Sequence, residues 1–218
     1  MLHKLLNIYL VIFMMTHKLQ TSWTFYFQRT ANDSPSEDYA SSIHKIGSFN
    51  TVEGFWNYYS HLKRPGDIDS KLEFQMFRKD IKAMWEDEEN RNGGRWFIFI
   101  DSKNASQLWE RSLLALIGEQ IHEDVIGAVI SIREATDILS FWTRSGANTS
   151  NNTVAMEIAE SIAKALDLQL GSQLRFKQHI DPSNNRRSLT YNIGEPKSKR
   201  AKRNQSGKKS GNKQQHNH

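Results

Sequence analysis

Asn92–Gly118 reads NGGRWFIFIDSKNASQLWERSLLALIG, and it carries two different periods in succession. An Asn92-Gly93-Gly94 turn signal runs straight into Arg95–Ile100 (RWFIFI), an aromatic, β-branched run of strand length. Trp109, Leu113, Leu116 and Ile117 then recur at helical spacing, with Gly118 as a stop. The same alternation of strand and helix signals extends in both directions. Val52, Phe55, Trp56 and Tyr59 mark an earlier helix, for which Asn50 is the expected N-cap with Glu53 three residues on. A later helix is marked by Ala155, Ile158, Ala159, Ile162, Ala165 and Leu166. Further strand signals are Trp23–Gln28 (WTFYFQ), Gly127–Ile132 (GAVISI), Ile138–Thr143 (ILSFWT), Gln173–Lys177 (QLRFK) and Ser188–Ile193 (SLTYNI). Several strand runs lie only a few residues apart, which favours antiparallel hairpins. The expected class is α+β, a curved antiparallel sheet with helices on one face.

The chain has 218 residues, 38% of them hydrophobic and none of them cysteine. That length suits one domain that buries roughly 70% of its unfolded surface. The lack of cysteine removes disulfides, thiolate metal sites and cysteine nucleophiles together. Lys and Arg number 29 against 24 Asp and Glu, a formal +5, but the excess is local. From Gly194 onward eight basic residues face Glu195 alone, which leaves 21 basic and 23 acidic residues, a formal −2, for 1–193. A whole-surface nucleic-acid binder does not have that charge distribution.

Three regions follow: 1–14, 15–193 and 194–218. Leu5–Met15 (LLNIYLVIFMM) is apolar but shorter than the ~20 residues a spanning helix needs, and no small-residue cleavage pattern follows it. Residues 1–14 read as an extension outside the domain, either an artefact of gene prediction with Met15 as the start or a disordered segment. A secretory signal and a membrane-associating segment are the other readings. Residues 194–218 contain no large apolar side chain beyond the last strand and are expected to be disordered. Lys197–Arg203 (KSKRAKR) reads as a nuclear-import or RNA-tethering patch, or as a merely solubilising one. The expected location is cytoplasmic, with nuclear access through that cluster.

Enzyme signatures are scarce. His-Glu-x-x-His, G-x-x-x-x-G-K-[ST], G-x-S-x-G and G-x-G-x-x-G are all missing, and no metal or cofactor is implied. The run Glu86-Asp87-Glu88-Glu89 reads as a solvated loop face before it reads as a metal site. Aromatic residues beside charges are the stronger signal. Trp85 precedes Glu86, Arg95 opens a strand, Arg133 closes another, Trp142 ends the next, and Tyr39 lies in a polar stretch. Such parts suit a cationic nucleobase carrying phosphates. A positively charged ring is drawn to an aromatic face, a carboxylate accepts from guanine's Watson–Crick edge, and arginines clamp phosphates.

Met84-Trp85-Glu86-Asp87-Glu88 followed by Gly93-Gly94-Arg95-Trp96 resembles the core signature of the translation initiation factor 4E family, which binds the 7-methylguanosine cap of messenger RNA. The resemblance extends through Thr51–Trp56, Leu113–Glu119, Gly127–Val129 and Ile138–Trp142, and covers about residues 17–193. It implies a cupped eight-stranded antiparallel sheet with three helices on the convex back and the cap on the concave side. Trp85 and Tyr39 would then stack on the base, Glu86 would accept from the guanine edge, and Trp142 would lie near the N7 methyl. Arg95 and Arg133 would meet the phosphates. On the convex face His17, Val52, Trp56 and Leu114 would receive a helix bearing a Tyr-x-x-x-x-Leu-apolar motif from scaffold or 4E-binding proteins.

The sequence departs from the founding members at three places. Tyr39 stands for a stacking tryptophan, Ile138 for a phosphate-binding lysine, and Arg111 for a glutamate on the second helix. With His61-x-x-Arg64-Pro65-Gly66-Asp67, the first two departures resemble the 4E-homologous-protein branch, often called class II. Weaker cap affinity is expected, with Arg186 and Arg187 as partial replacements for the lysine. The expected role is a non-enzymatic cap-binding regulator or repressor of translation initiation. The rival readings are a nuclear RNA-binding or export factor driven by the basic tail, and an enzyme acting on capped RNA through Glu86–Glu89.

Overall fold

Which side chains reach the core is decided by a period of two along the strands. In Leu72–Arg78, Leu72, Phe74 and Met76 turn to the helices, while Glu73, Gln75 and Phe77 turn to the opposite face. The computed structural model describes residues 16–29, 41–84, 86–146, 153–179 and 188–194. Residues 1–14 and the basic tail beyond Gly194 lie outside this set, and so do Tyr39, Trp85, Arg186 and Arg187.

Among the described residues eight strands and three α-helices follow one another. They are β1 (Lys18–Arg29), β2 (Ile43–Thr51), α1 (Val52–Tyr59), β3 (Leu72–Arg78), β4 (Gly94–Ile100), α2 (Ser102–Ile117), β5 (Val125–Ile132), β6 (Asp137–Thr143), α3 (Thr153–Ala165), β7 (Gln173–Gln178) and β8 (Ser188–Asn192). The strands form one curved antiparallel sheet in the order β2-β1-β3-β5-β6-β4-β7-β8. One face packs on the helices around Trp23, Phe25, Trp96, Trp109, Phe141 and Phe176, all essentially fully buried. The opposite face holds a second, smaller cluster of Tyr26, Ile43, Phe77, Ile81, Ala83, Ile126, Val129 and Trp142.

The three helical periods fold as helices, with two changes at their ends. The cap of α1 is Thr51, whose hydroxyl accepts from the Gly54 N–H at 3.0 Å, because β2 runs on through Asn50 in extended conformation. Glu53 does not close a capping box. It accepts instead from the His17 backbone N–H at 3.0 Å and meets the His17 ring at 2.6 Å. At the end of α2, Gly118 keeps a negative φ of −87° and Glu119 takes the left-handed turn at φ 52°.

Strands β2 and β3 are the elements that pattern did not single out. β2 lies at the sheet edge, where its middle is half exposed and its alternation is blurred. β3 is central, but its polar side chains find hydrogen-bond partners across the sheet, with Gln75 Oε1 alone of their bonding atoms buried without one among the described residues. Ser131 donates to Glu73 at 2.6 Å and Gln75 donates to Gln28 at 3.3 Å. Gly127 follows a bulge in β5, and a Cβ there would overlap the Phe77 ring. Only glycine leaves room for that ring under the second cluster.

Candidate functional site

The second cluster is the floor from which the candidate site is built. Trp142 lies on β6 directly opposite Arg95 on β4. Its indole is 7% exposed, packs edge-on to Phe77 at 5.7 Å, and meets the His179 ring at 4.1 Å between centroids. Trp142 Nε1 and His179 Nε2 are both buried without a hydrogen-bond partner among the described residues. Burial, seconded by the nearby Arg95 charge, pushes the His179 imidazole down to about 4, against a hydrogen bond to the Gly94 backbone. The ring beside Trp142 is therefore neutral at physiological pH.

Glu86 reaches the same region on the loop between β3 and β4. Ile81 and Ala83 sink into the second cluster, and fully buried Asn90 ties the loop across its base. The Asn90 side-chain amide donates to the Lys82 and Met84 carbonyls, each at 2.7 Å. The residues on either side of Trp85 and Glu86 are thus held while Glu86 itself stays exposed. The rest of the acidic run is solvated loop. Asp87 accepts from the Glu89 N–H at 3.1 Å, and Glu89 pairs with Arg144 at 2.9 Å where both are half exposed. Among the described residues no three acidic or histidine side chains gather as a metal site.

Arg95 projects from β4 with its guanidinium 5.7 Å from the Phe97 ring centroid. Arg133 is exposed at the turn that follows β5, and its backbone N–H donates to Asp137 Oδ1 at 2.9 Å. The structure thus brings Arg95 and Trp142 together beside the loop base that carries Glu86, and sets Arg133 at the far end of β5. Tyr39, Trp85, Arg186 and Arg187 have no described position.

The opposite surface carries a separate group. Val52 and Trp56 share one side of α1 and are 37% and 42% exposed. That exposure makes Trp56 no core residue, although Phe55 at 5.0 Å and Tyr59 at 5.9 Å brace it edge-on. The His17 carbonyl accepts from the Val52 N–H at 2.9 Å, which fixes His17 at the start of the same helix. Leu114 is exposed on α2 at the rim of a cavity of about 420 Å³ lined by Arg111, Gln120 and Lys164 among others. Arg111 is committed to the helix layer, donating to the Leu166 carbonyl at 2.9 Å at the end of α3.

The Eukaryotic initiation factor 4E family matches residues 18–193 of this sequence. The chain belongs to that family. It is 38% identical to eukaryotic translation initiation factor 4E-4 of Caenorhabditis elegans over 168 residues, 76% of this chain and 78% of that one. Its fold is similar to C. elegans eIF4E-3, solved with the 4E-binding protein Mextli and a cap analog, at TM-score 0.71 and 28% identity, covering 81% of this chain and all of the other. It is also similar to Ascaris suum eIF4E-3, solved with the m2,2,7G cap, at TM-score 0.68 and 29% identity, covering 76% and 93%.

For a 4E-family chain the sequence pattern missed two residues of the concave site. Asn90 is a polar loop residue whose burial leaves no trace in a period. His179 directly follows the β7 run, and only the pairing of β7 with β4 sets it against Trp142. Two exposed cations on β7, Arg175 and Lys177, also went unremarked inside QLRFK. Strict alternation around buried Leu174 and Phe176 is the signal that places both on the concave side.

Proposed function

We propose that this chain binds the 7-methylguanosine 5′ cap of messenger RNA and works in translation initiation as a class II regulator or repressor. The family is one of initiation factors rather than enzymes, and the reading needs no catalytic step. One observation carries it: Arg95 and Trp142 stand opposite each other beside a loop whose base Asn90 locks and which carries exposed Glu86. Trp85 and Tyr39 supply the stacking faces, and Glu86 the acceptor for the guanine edge. Trp142, almost wholly buried, has too little open surface to sandwich a base and suits an edge contact with the N7 methyl. Arg95 and Arg133 meet the phosphate chain, and Arg186 and Arg187 add to it.

Regulation is favoured by two departures. Ile138 offers no charge where founding members carry a lysine, so the electrostatic part of cap binding is weaker. Arg111 closes the end of α3 instead of presenting an acid to a scaffold. Val52, Trp56 and Leu114, with His17 beside them, still fit an amphipathic helix with a Tyr-x-x-x-x-Leu-apolar motif, and the braced Trp56 is its anchor.

The test is a fluorescence titration with 7-methyl-GTP and with GTP. Saturable quenching selective for the methylated nucleotide, lost by tenfold or more in Glu86→Ala, is expected. Equal response to both nucleotides refutes the reading. Capture of a scaffold-type motif peptide as tight as that of a founding member would refute the repressor role and leave cap binding intact.

A further inference from the structure

The concave face does not end at the cap-site residues. Beyond Arg95, β4 turns Phe97 and Phe99 to the same side, and β7 turns Arg175 and Lys177 there too, in register with Phe97 and Arg95. Phe99 is 48% exposed, an unusual position for a phenylalanine in the middle of a sheet. Its ring stands edge-on to Phe97 at 5.7 Å, and the Arg175 guanidinium lies 5.5 Å from its centroid. The outward positions of β4, β6 and β7 hold three cations and no acidic side chain. Phe99 pairs with Ile138 at the end of β6 nearest the turn of Arg133. A phosphate chain running from Arg95 toward Arg133 therefore passes the level of Phe99 and Arg175.

We propose that this strip holds the first nucleotides after the cap, with a base stacked on Phe99 and a phosphodiester against Arg175. The inference rests on the cap-binding reading above and deepens it. Alternating cations and an exposed aromatic are what a sequence-tolerant single-strand track requires. The ring accepts any base face, and the guanidinium beside it serves both stack and phosphate. The strip would give this chain a preference for capped RNA over the isolated cap nucleotide, offsetting the contact missing at Ile138.

The full chain is titrated with 7-methyl-GTP, with a capped five-nucleotide RNA and with the same RNA uncapped, alongside Phe99→Ser and Arg175→Ser. The unaltered protein is expected to bind the capped RNA about tenfold tighter than 7-methyl-GTP. Each variant should lose most of that gain while its 7-methyl-GTP affinity stays within about twofold, which also shows that it is folded. Arg175→Ser should lower the slope of log affinity against log salt by about 0.7. No gain for the capped RNA in the unaltered protein, or the same gain in both variants, overturns the strip. Should 7-methyl-GTP not bind at all, the cap reading falls by itself and the uncapped RNA decides. Binding that Phe99→Ser and Arg175→Ser both weaken supports the strip, and binding that neither changes overturns it.

Discussion

His179→Phe tests how the floor of the site is held. In the folded protein burial and Arg95 keep the His179 imidazole neutral down to about pH 4, whereas an unfolded imidazole takes up its proton near 6.5. Below 6.5 the unfolded chain therefore binds more protons than the folded one, and stability falls as pH drops until both forms are protonated near 4. Each pH unit inside that window is worth about 1.4 kcal/mol, so the loss is about 2 kcal/mol at pH 5 and about 3 kcal/mol when complete. Above pH 6.5 the residue contributes no slope. Phenylalanine keeps an aromatic ring against Trp142 and removes the titration. Urea denaturation followed by tryptophan fluorescence at pH 7.5, 6.0 and 5.0 reads the difference, and carboxylates that titrate in both proteins cancel. The stability gap between the two proteins should shift by about 2 kcal/mol between pH 7.5 and 5.0 in favour of the variant, a midpoint change near 1 M urea for an m-value of about 2 kcal/mol/M. Parallel pH profiles would refute the buried, neutral histidine. In Arg95→Gln, which removes the second cause only, the window should narrow from its acid end, so that less stability is lost in total while the slope inside the window stays the same.

Gly127→Ala forces a methyl into the Phe77 ring, which is fully buried and packed on Trp142. A loss of about 1–3 kcal/mol is expected, read as a thermal midpoint lowered by several degrees. Arg78→Met breaks bonds of 2.7 and 3.2 Å to Glu119 and one of 2.8 Å to Thr21. It leaves the Glu119 carboxylate, only 25% exposed, without its partner, so about 3 kcal/mol should be lost in chemical denaturation, most of it restored by adding Glu119→Met. Trp56→Ala removes a 42% exposed side chain and should change stability by under about 1 kcal/mol, while calorimetric binding of a Tyr-x-x-x-x-Leu-apolar peptide weakens by tenfold or more.

Helices were the most legible elements, because a 3.6-residue period is a local property that survives without its partners. Val52–Tyr59, Ser102–Ile117 and Thr153–Ala165 all fold where their apolar stripes lie. Strands with an aromatic or β-branched run were equally plain, as in Arg95–Ile100. β2 and β3 were not, since an edge strand needs no apolar alternation and a central strand can carry Glu73 and Gln75 once cross-strand neighbours bond to them. The cap of α1 went to Thr51 instead of Asn50 because sheet pairing claims the residue before the helix.

What the sequence determined alone was the α+β class and the three helices; for the two faces it offered candidates, Glu86, Arg95, Arg133 and Trp142 on one and Val52, Trp56 and Leu114 on the other. Their meeting was decided by tertiary structure. The order β3-β5-β6-β4-β7 interleaves strands distant along the chain, so Arg95 lies beside Trp142 and Lys177 through two different neighbours. No window of sequence contains that information. It arises because long-range pairing buries both clusters at once, and burial then makes His179 neutral and sets Asn90 across the loop base.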